Sequence, residues 1–402
     1  MDLLFVFLIL ENIFEKYIPA LGYFDETVAL VMLVLFLVKI SHKRMAKDYW
    51  KIILLGVGFL FIGFLGTFLN HYQTNAVAIL KDILAVSKFF IVYLYSSAFM
   101  KNNNPRVQKN IIRFSKAYLL TLLFFSILNQ FANIGMNSGY RGPIKTFTFL
   151  YSHSTFLVAS VVILCTVLIA KGIRINSLYL VSGFIVLFFS MRTKAFMYMA
   201  ATVILAILLR GRYHRVASRT TSTRTRRRLV LAIIIILSAI YYLGRNKLMS
   251  YLSWGLMAAR PALYIVGFQI AKQSFPFGAG FATFASAISA EYYSPVYSRY
   301  GIANVDGISQ TTGSDYVSDT YWPYIFGQYG FLGTVLYLSA LAYIFKDILK
   351  KFQNKYYSLV AALSLFVYVI AGSFVESMFT NATIILVALT LGFYLPRADS
   401  NS

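Results

Sequence analysis

Chemistry in this 402-residue chain has few places to happen, because charged residues seldom occur in it outside basic loops. Arg192 and Lys194 stand two apart in FFSMRTKAF, a tight turn between two short apolar runs. A guanidinium grips phosphate oxygens in a two-pronged geometry, whereas an ammonium acts as a point charge. The pair suits an anion held near the headgroup plane of a membrane; contact with phospholipid headgroups is the plainer alternative. Upstream, NSGYRGPIKTFTFLYSHS brings Arg141, Lys145 and His153 to the mouth of the next apolar run. A lone histidine at a helix end can equally be a hydrogen-bonded structural group. In KDILAVSK, Lys81 and Lys88 are seven residues apart and share a helical face. A lysine within an apolar span is costly and faces the bundle interior or a wet cavity. Snorkelling to the interface is the alternative, and it suits Lys81 better than Lys88.

The longest polar stretch runs from Arg260 to Gly333. It opens RPALYIVGFQIAKQSFPFGAGFATFAS and closes TYWPYIFGQYGFLG. Its acids are Glu291, Asp306, Asp315 and Asp319, set among Tyr292, Tyr293, Tyr297, Tyr300, Tyr316, Tyr321, Tyr324 and Trp322. Aromatic faces with scattered carboxylates suit sugar rings, which present apolar C–H faces and many hydroxyls. An aromatic belt at the membrane interface accounts for part of this richness, Trp322 and Tyr324 above all. Asp319 falls about one turn outside an apolar helix core, and Glu376 falls in the turn SFVESMFTNAT. Residues 262–274 read as an amphipathic helix lying on the membrane. Gly278 and Gly280 of PFGAGF look like part of a phosphate-cradling loop, but no strand precedes them and the third glycine is missing, so a tight turn is expected.

These residues must be positioned by membrane-spanning helices. Hydrophobic residues make up 59% of the chain and charged residues 13%, and apolar runs long enough to cross a bilayer recur from end to end. Of the 37 Lys and Arg, 25 fall in loops that alternate to one side: 39–51, 100–116, 171–174, 210–228, 346–355 and Arg397. That bias marks those loops as cytoplasmic. It also makes the formal charge of +23 a topology signal rather than a nucleic-acid footprint; Arg224–Arg228 reads as an anchor on anionic lipid. The single cysteine, Cys165, excludes an intramolecular disulfide. The first apolar stretch lacks a basic start and a small-residue cleavage site, and reads as a retained helix.

The expected fold is all-α, a polytopic bundle of about twelve helices with both termini cytoplasmic. The spans are 2–20, 26–40, 52–69, 78–99, 116–134, 149–170, 176–191, 195–209, 229–243, 322–345, 356–375 and 380–395. Three regions follow: 1–243 with nine helices, a large extracytoplasmic loop over 244–321, and 322–402 with three helices and a short tail. Small residues Gly56, Gly63 and Thr67 in the third span suit close helix packing. No internal repeat is visible, which disfavours transporters built from duplicated halves.

Several segments together resemble the O-antigen polymerase and O-antigen ligase superfamily of bacterial membrane glycosyltransferases, and they occur in the family's order. They are YIPALGYFDE, KDILAVSK, YRGPIKTFTFLYSHS, SMRTKA, RPALYIVGFQIAKQSFPFGAGFATF and SDTYWPYIFGQYGFLG. The resemblance covers nearly the whole chain and implies a GT-C-like bundle in the bacterial cytoplasmic membrane. The implied substrate is an oligosaccharide on undecaprenyl pyrophosphate, used at the outer face without nucleotide, metal or other cofactor. A polymerase moves the growing glycan onto the next lipid-linked repeat unit; a ligase moves it onto another acceptor. Arg192 and Arg260 are implied to bind the pyrophosphate, with Lys194, Arg141 and Lys88 completing the expected set. Tyr321, Trp322, Tyr300 and Arg299 are the expected sugar contacts. The ligases carry a histidine just before the helix that follows the large loop; this chain has Asp315 and Asp319 there instead, which favours the polymerase. Candidate bases are Asp319 first, then Asp315, His153 and Glu376. Membrane lipid is an expected partner, a chain-length regulator protein is admitted, and nucleic acid is not expected. The alternatives are a ligase-type glycan transferase and a flippase of lipid-linked oligosaccharide.

Overall fold

The apolar runs become helices, and the loops between them are short enough to force neighbours together. The computed structural model describes residues 1–42, 45–100, 104–132, 134–213, 238, 245, 249–250 and 253–396, and is 72% helix. In chain order the helices are α1 (Asp2–Glu15), α2 (Phe24–His42), α3 (Lys47–Asn70), α4 (Ala76–Phe99), α5 (Pro105–Phe131), α6 (Ser154–Lys171), α7 (Ser177–Phe189) and α8 (Thr193–Tyr213). They continue as α9 (Ala259–Gln273), α10 (Ala287–Glu291), α11 (Val296–Arg299), α12 (Trp322–Phe352), α13 (Tyr356–Gly372) and α14 (Thr383–Leu389). Local chemistry sets several starts. Asn75 caps α4 by accepting from the N–H groups of Val77 and Ala78, and Asn104 caps α5 with Pro105 in the first position.

Among the described residues, six helices are long and apolar enough to cross a membrane: 19–42, 47–70, 105–131, 154–171, 193–210 and 322–352. A bundle of twelve spans is not confirmed. Helices α7 and α13 and the stretch 383–394 are apolar but shorter, α1 has 14 residues, and α4 carries Lys81, Asp82 and Lys88. The ninth expected span, 229–243, apart from Ser238, the block Arg224–Arg228 and Arg397 lie outside the described residues. The expectation of an all-α fold also needs an addition. Residues Asn137–Arg141 (β1) and Ile144–Phe147 (β2) form an antiparallel hairpin, closed through Gly142 at φ +61°.

Helix α6 lies at the centre, buried on all sides, with α13 packed between it and α8. Helices α3, α9 and α12 form a second layer. There α12 breaks at Gly330, where φ is +63° and ψ is −167°, a conformation only glycine adopts without strain. The break leaves carbonyls free, and the segment after α9 uses them: Ala279 N–H donates to Gly327 O at 2.9 Å and Gly280 N–H to Gln328 O at 2.8 Å. The tight turn PFGAGF is therefore a backbone junction. A Cβ on Gly278 would sit 2.4 Å from Gly330 N, and one on Gly280 would sit 2.3 Å from Thr67 N. Buried Asp82 of α4 completes the joint, accepting from Ala282 N–H at 2.8 Å and from the Tyr324 hydroxyl at 3.3 Å. Helix α9 buries Leu263, Val266 and Ile270 as it packs on α12, while Ile265 and Phe268 are exposed. The result is a large loop held rigidly at its root.

Candidate anion-binding site

A cavity of about 350 Å³ collects the chemistry-bearing turns. It is lined by Arg141, His153, Thr155, Phe156, Arg192, Thr193, Lys194, Arg260, Ser318, Asp319, Val375, Glu376, Ser377 and Asn381. Three helices begin at its wall. His153 is the residue preceding α6, Arg192 immediately precedes α8, and Arg260 is in the first turn of α9. A helix N-terminus presents unpaired N–H groups and a partial positive charge, so three of them converging favour an anion. Ala258, at the cap of α9, offers no side-chain acceptor, so nothing on that residue competes for the first-turn amides.

Each cation is held in place. Arg141, at the end of β1, donates to the Met191 carbonyl at 2.6 Å, and Met191 itself sits at φ +52° in the turn between α7 and α8. Arg192 donates through Nε to Ser154 Oγ at 2.5 Å, and its Nη2 lies 2.9 Å from His153 Nε2. Arg260 Nη2 donates to Asp319 Oδ2 at 2.8 Å. Lys194 Nζ donates to Glu376 Oε2 at 2.5 Å, with the lysine side chain 5% exposed. The turn carrying Glu376 is tied down by Ser377 Oγ, which donates to the Ser318 carbonyl beside Asp319.

Four cationic side chains thus face two carboxylates, leaving an excess of two positive charges. His153 adds none near neutrality, because burial and then the Arg192 charge push its pKa below the usual 6.5. Its two ring nitrogens both face N–H donors, Nδ1 towards Thr155 N at 3.3 Å and Nε2 towards Arg192 Nη2. A neutral ring has one lone pair in its plane, so it can accept at only one of them. Asn381 brings a buried amide nitrogen that has no partner. Burial raises the Asp319 pKa above the carboxylate norm, and Arg260 opposes the rise only in part. Burial and then Arg141 lower the Arg192 pKa, yet a guanidinium keeps its charge.

The structure brings together Arg141, His153, Arg192, Lys194, Arg260, Asp319 and Glu376, seven of the residues singled out from sequence. The others lie elsewhere. Lys88 is buried against Asp25 of α2, not at this cavity. Asp315 is exposed, outside the cavity lining. Tyr321 is buried with its hydroxyl donating to Tyr337 at 2.6 Å, and Trp322 packs beside it. Tyr300 donates to Gln273 at 2.8 Å, and Arg299 stacks over Tyr72. Since Gln273 ends the helix that Arg260 begins, Tyr300 sits roughly 20 Å from the cavity's arginine, at 1.5 Å rise per residue. Sequence reasoning overlooked Ser154, Asn381 and the three helix starts. SHST and FTNAT, polar at the ends of apolar runs, were the available signals.

Comparison with protein-family models, with curated proteins and with solved structures gives no match.

Proposed function

We propose that the protein is a polysaccharide repeat-unit polymerase, transferring glycan from undecaprenyl pyrophosphate to the next lipid-linked repeat unit at the outer face of the bacterial cytoplasmic membrane. The observation that carries this reading is the cavity's excess of two positive charges at converging helix starts, next to carboxylates. A pyrophosphate esterified at both ends carries two negative charges, which matches that excess. The cavity wall belongs to turns that the basic-loop pattern assigns to the outer side, where such a substrate would be presented.

In the reaction, an acceptor hydroxyl oxygen bonds to the anomeric carbon while the bond from that carbon to the pyrophosphate oxygen breaks. Arg192, Arg260 and Arg141 stabilise the charge that grows on the departing phosphate, an electrostatic contribution made by donors already in place. Lys194 adds a point charge. When pyrophosphate engages Arg260, Asp319 loses its partner and becomes free to take the acceptor proton. Its raised pKa makes it a better base than an ordinary aspartate. Neutral His153 and Glu376 line the same cavity and are the next bases to test.

The test is an incubation of purified protein with its lipid-linked repeat unit, followed by a glycan gel. A ladder of multiples is the expected result. An intact repeat unit, unchanged also when a second acceptor is supplied, overturns glycosyl transfer and leaves the flippase reading, which a lipid-flipping assay then decides.

A further inference from the structure

A second group of charges lies between α1, α2 and α4, away from the cavity. Lys88 Nζ donates to Asp25 Oδ2 at 2.5 Å and lies 3.4 Å from Glu26 Oε1. Glu11 of α1 turns its carboxylate towards the Asp25 N–H and feels the charges of Asp25, Glu26 and Lys88. Glu11, Asp25 and Lys88 are 4%, 1% and 1% exposed, and only Glu26 reaches solvent. Three carboxylates against one ammonium would leave two uncompensated negative charges in the interior. A buried charge is tolerated when paired; an unpaired one takes up or sheds a proton instead.

The hydrogen bonds say where hydrogens are missing. Glu11 Oε1, Asp25 Oδ1 and Glu26 Oε2 are buried oxygens without a partner. The Asp25 and Glu26 carboxyls lie within hydrogen-bonding reach of each other, which two ionised groups cannot use and a protonated one can. Among the described residues no other ionisable side chain is positioned to supply the missing charge. On α1, Glu15 is held by Asn12, and Lys16 is exposed. Lys39 at the far end of α2 stacks over Tyr95. On α4, Lys81 pairs with Glu291 of α10 at 2.6 Å. Asp48 of α3 pairs with Lys51 and Lys350. On α5, Lys116 stacks over Tyr179, and Asn110 reaches Asp2 at the opposite end of α1. Helix α14, packed on α1, α2 and α4, carries no ionisable residue. Among the described residues no group of His, Cys, Asp and Glu is arranged to hold a metal ion.

We infer that Glu11, Asp25, Glu26 and Lys88 form a buried proton-binding site, in which one proton bridges Asp25 and Glu26 and a second resides on Glu11. Two protons neutralise the cluster, and the first gives the Asp25 and Glu26 carboxyls a shared donor. Glu26, one-third exposed, is the route by which they exchange with solvent. The inference is independent of the reaction proposed above.

The test uses the full chain in lipid nanodiscs and infrared absorption of the carbonyl stretch of protonated carboxyl groups at neutral pH. Glu11→Gln, Asp25→Asn and Glu26→Gln each keep the shape of the protonated side chain. Glu11→Gln and at least one of the Asp25 and Glu26 variants are expected to lose part of that band relative to the native chain. Asp82→Asn serves as the control for a different buried carboxyl. A band of full intensity in every folded variant overturns the inference. If only Glu11→Gln folds, it decides alone. A second readout is thermal unfolding against pH. A group that holds a proton in the folded chain and sheds it when unfolded makes stability fall as pH rises. The native melting temperature should therefore drop from mildly acidic to slightly alkaline pH more than that of Glu11→Gln; parallel curves overturn the inference.

Discussion

At the scale of single residues, Arg192 of the cavity is not interchangeable with lysine. Arg192 makes two contacts through different nitrogens, to Ser154 and His153, and one ammonium cannot reach both while also facing a ligand. Losing one charge-assisted hydrogen bond, about 1.5–3 kcal/mol, predicts that Arg192→Lys slows polymer formation by about ten- to hundredfold, and Arg192→Ala further. Membrane yields should be unchanged in both, which an immunoblot beside the glycan gel checks. On the proposed mechanism, Asp319 sets a pH dependence. A base must be ionised to act, so activity falls as pH drops through its pKa, and burial places that fall above the range of a free aspartate. Asp319→Asn should abolish turnover and Asp319→Glu should restore part of it; retention of full activity by Asp319→Asn would transfer the role to His153 or Glu376. The residues that sequence singled out and the cavity collects are polar groups at the ends of apolar runs. Their position there was legible because a charge beside a hydrophobic run has to find the edge of the bundle. Trp322 and Tyr324 read as interface aromatics, and Tyr321 and Trp322 as sugar contacts, but the start of α12 is sunk into the core. Lys88 read as buried, and its partners, 62 and 63 residues away, follow only from how α2 packs on α4.

At the scale of elements, the joint between the kinked α12 and the segment after α9 holds the cavity wall. Gly330→Ala places a side chain at positive φ within 2.3 Å of the Pro276 carbonyl, so the chain should lose several kcal/mol or fail to fold. Asp82→Ala removes one of two acceptors of Ala282 N–H, leaving Gln328 Oε1, and one partner of Tyr324, a loss of about 1–3 kcal/mol. Thermal unfolding in detergent measures both, and Asp82→Asn should recover part of the second. The Lys194–Glu376 pair offers a separable test. Removing one partner of a fully buried pair costs about 3–5 kcal/mol; Glu376 is 22% exposed, so Lys194→Met should destabilise by less than that. Lys194→Met combined with Glu376→Gln should be milder, since no lone charge remains. None of this joint was visible in the sequence beyond the glycines themselves. Spacing told that PFGAGF must turn; only the structure tells that it turns against another backbone.

At the scale of the whole molecule, the hydrophobic runs and basic loops foretold a helical membrane protein, and six apolar helices of spanning length support that coarse statement. The finer count of twelve is not confirmed. Helices α1, α7 and α13 are short, and such helices can complete a bundle without each crossing a bilayer. Orientation is open to a direct check, because the single native thiol, Cys165, is fully buried. A cysteine introduced at exposed Thr312 should react with a membrane-impermeant maleimide in intact cells. One introduced at exposed Ser41 should react only after lysis. The reverse pattern would invert the topology and move the cavity to the other side.

The two ion pairs across the cavity act as resident counterions. An incoming anion meets the uncompensated charges of Arg141 and Arg192, but to engage Arg260 or Lys194 it has to displace Asp319 or Glu376. A monovalent ion such as chloride can take over one pair at a time and gains little by the exchange. A bridging anion with two charged centres can replace both pairs together. On the proposed reading the two pairs act as a valence filter, favouring anions with two charged centres.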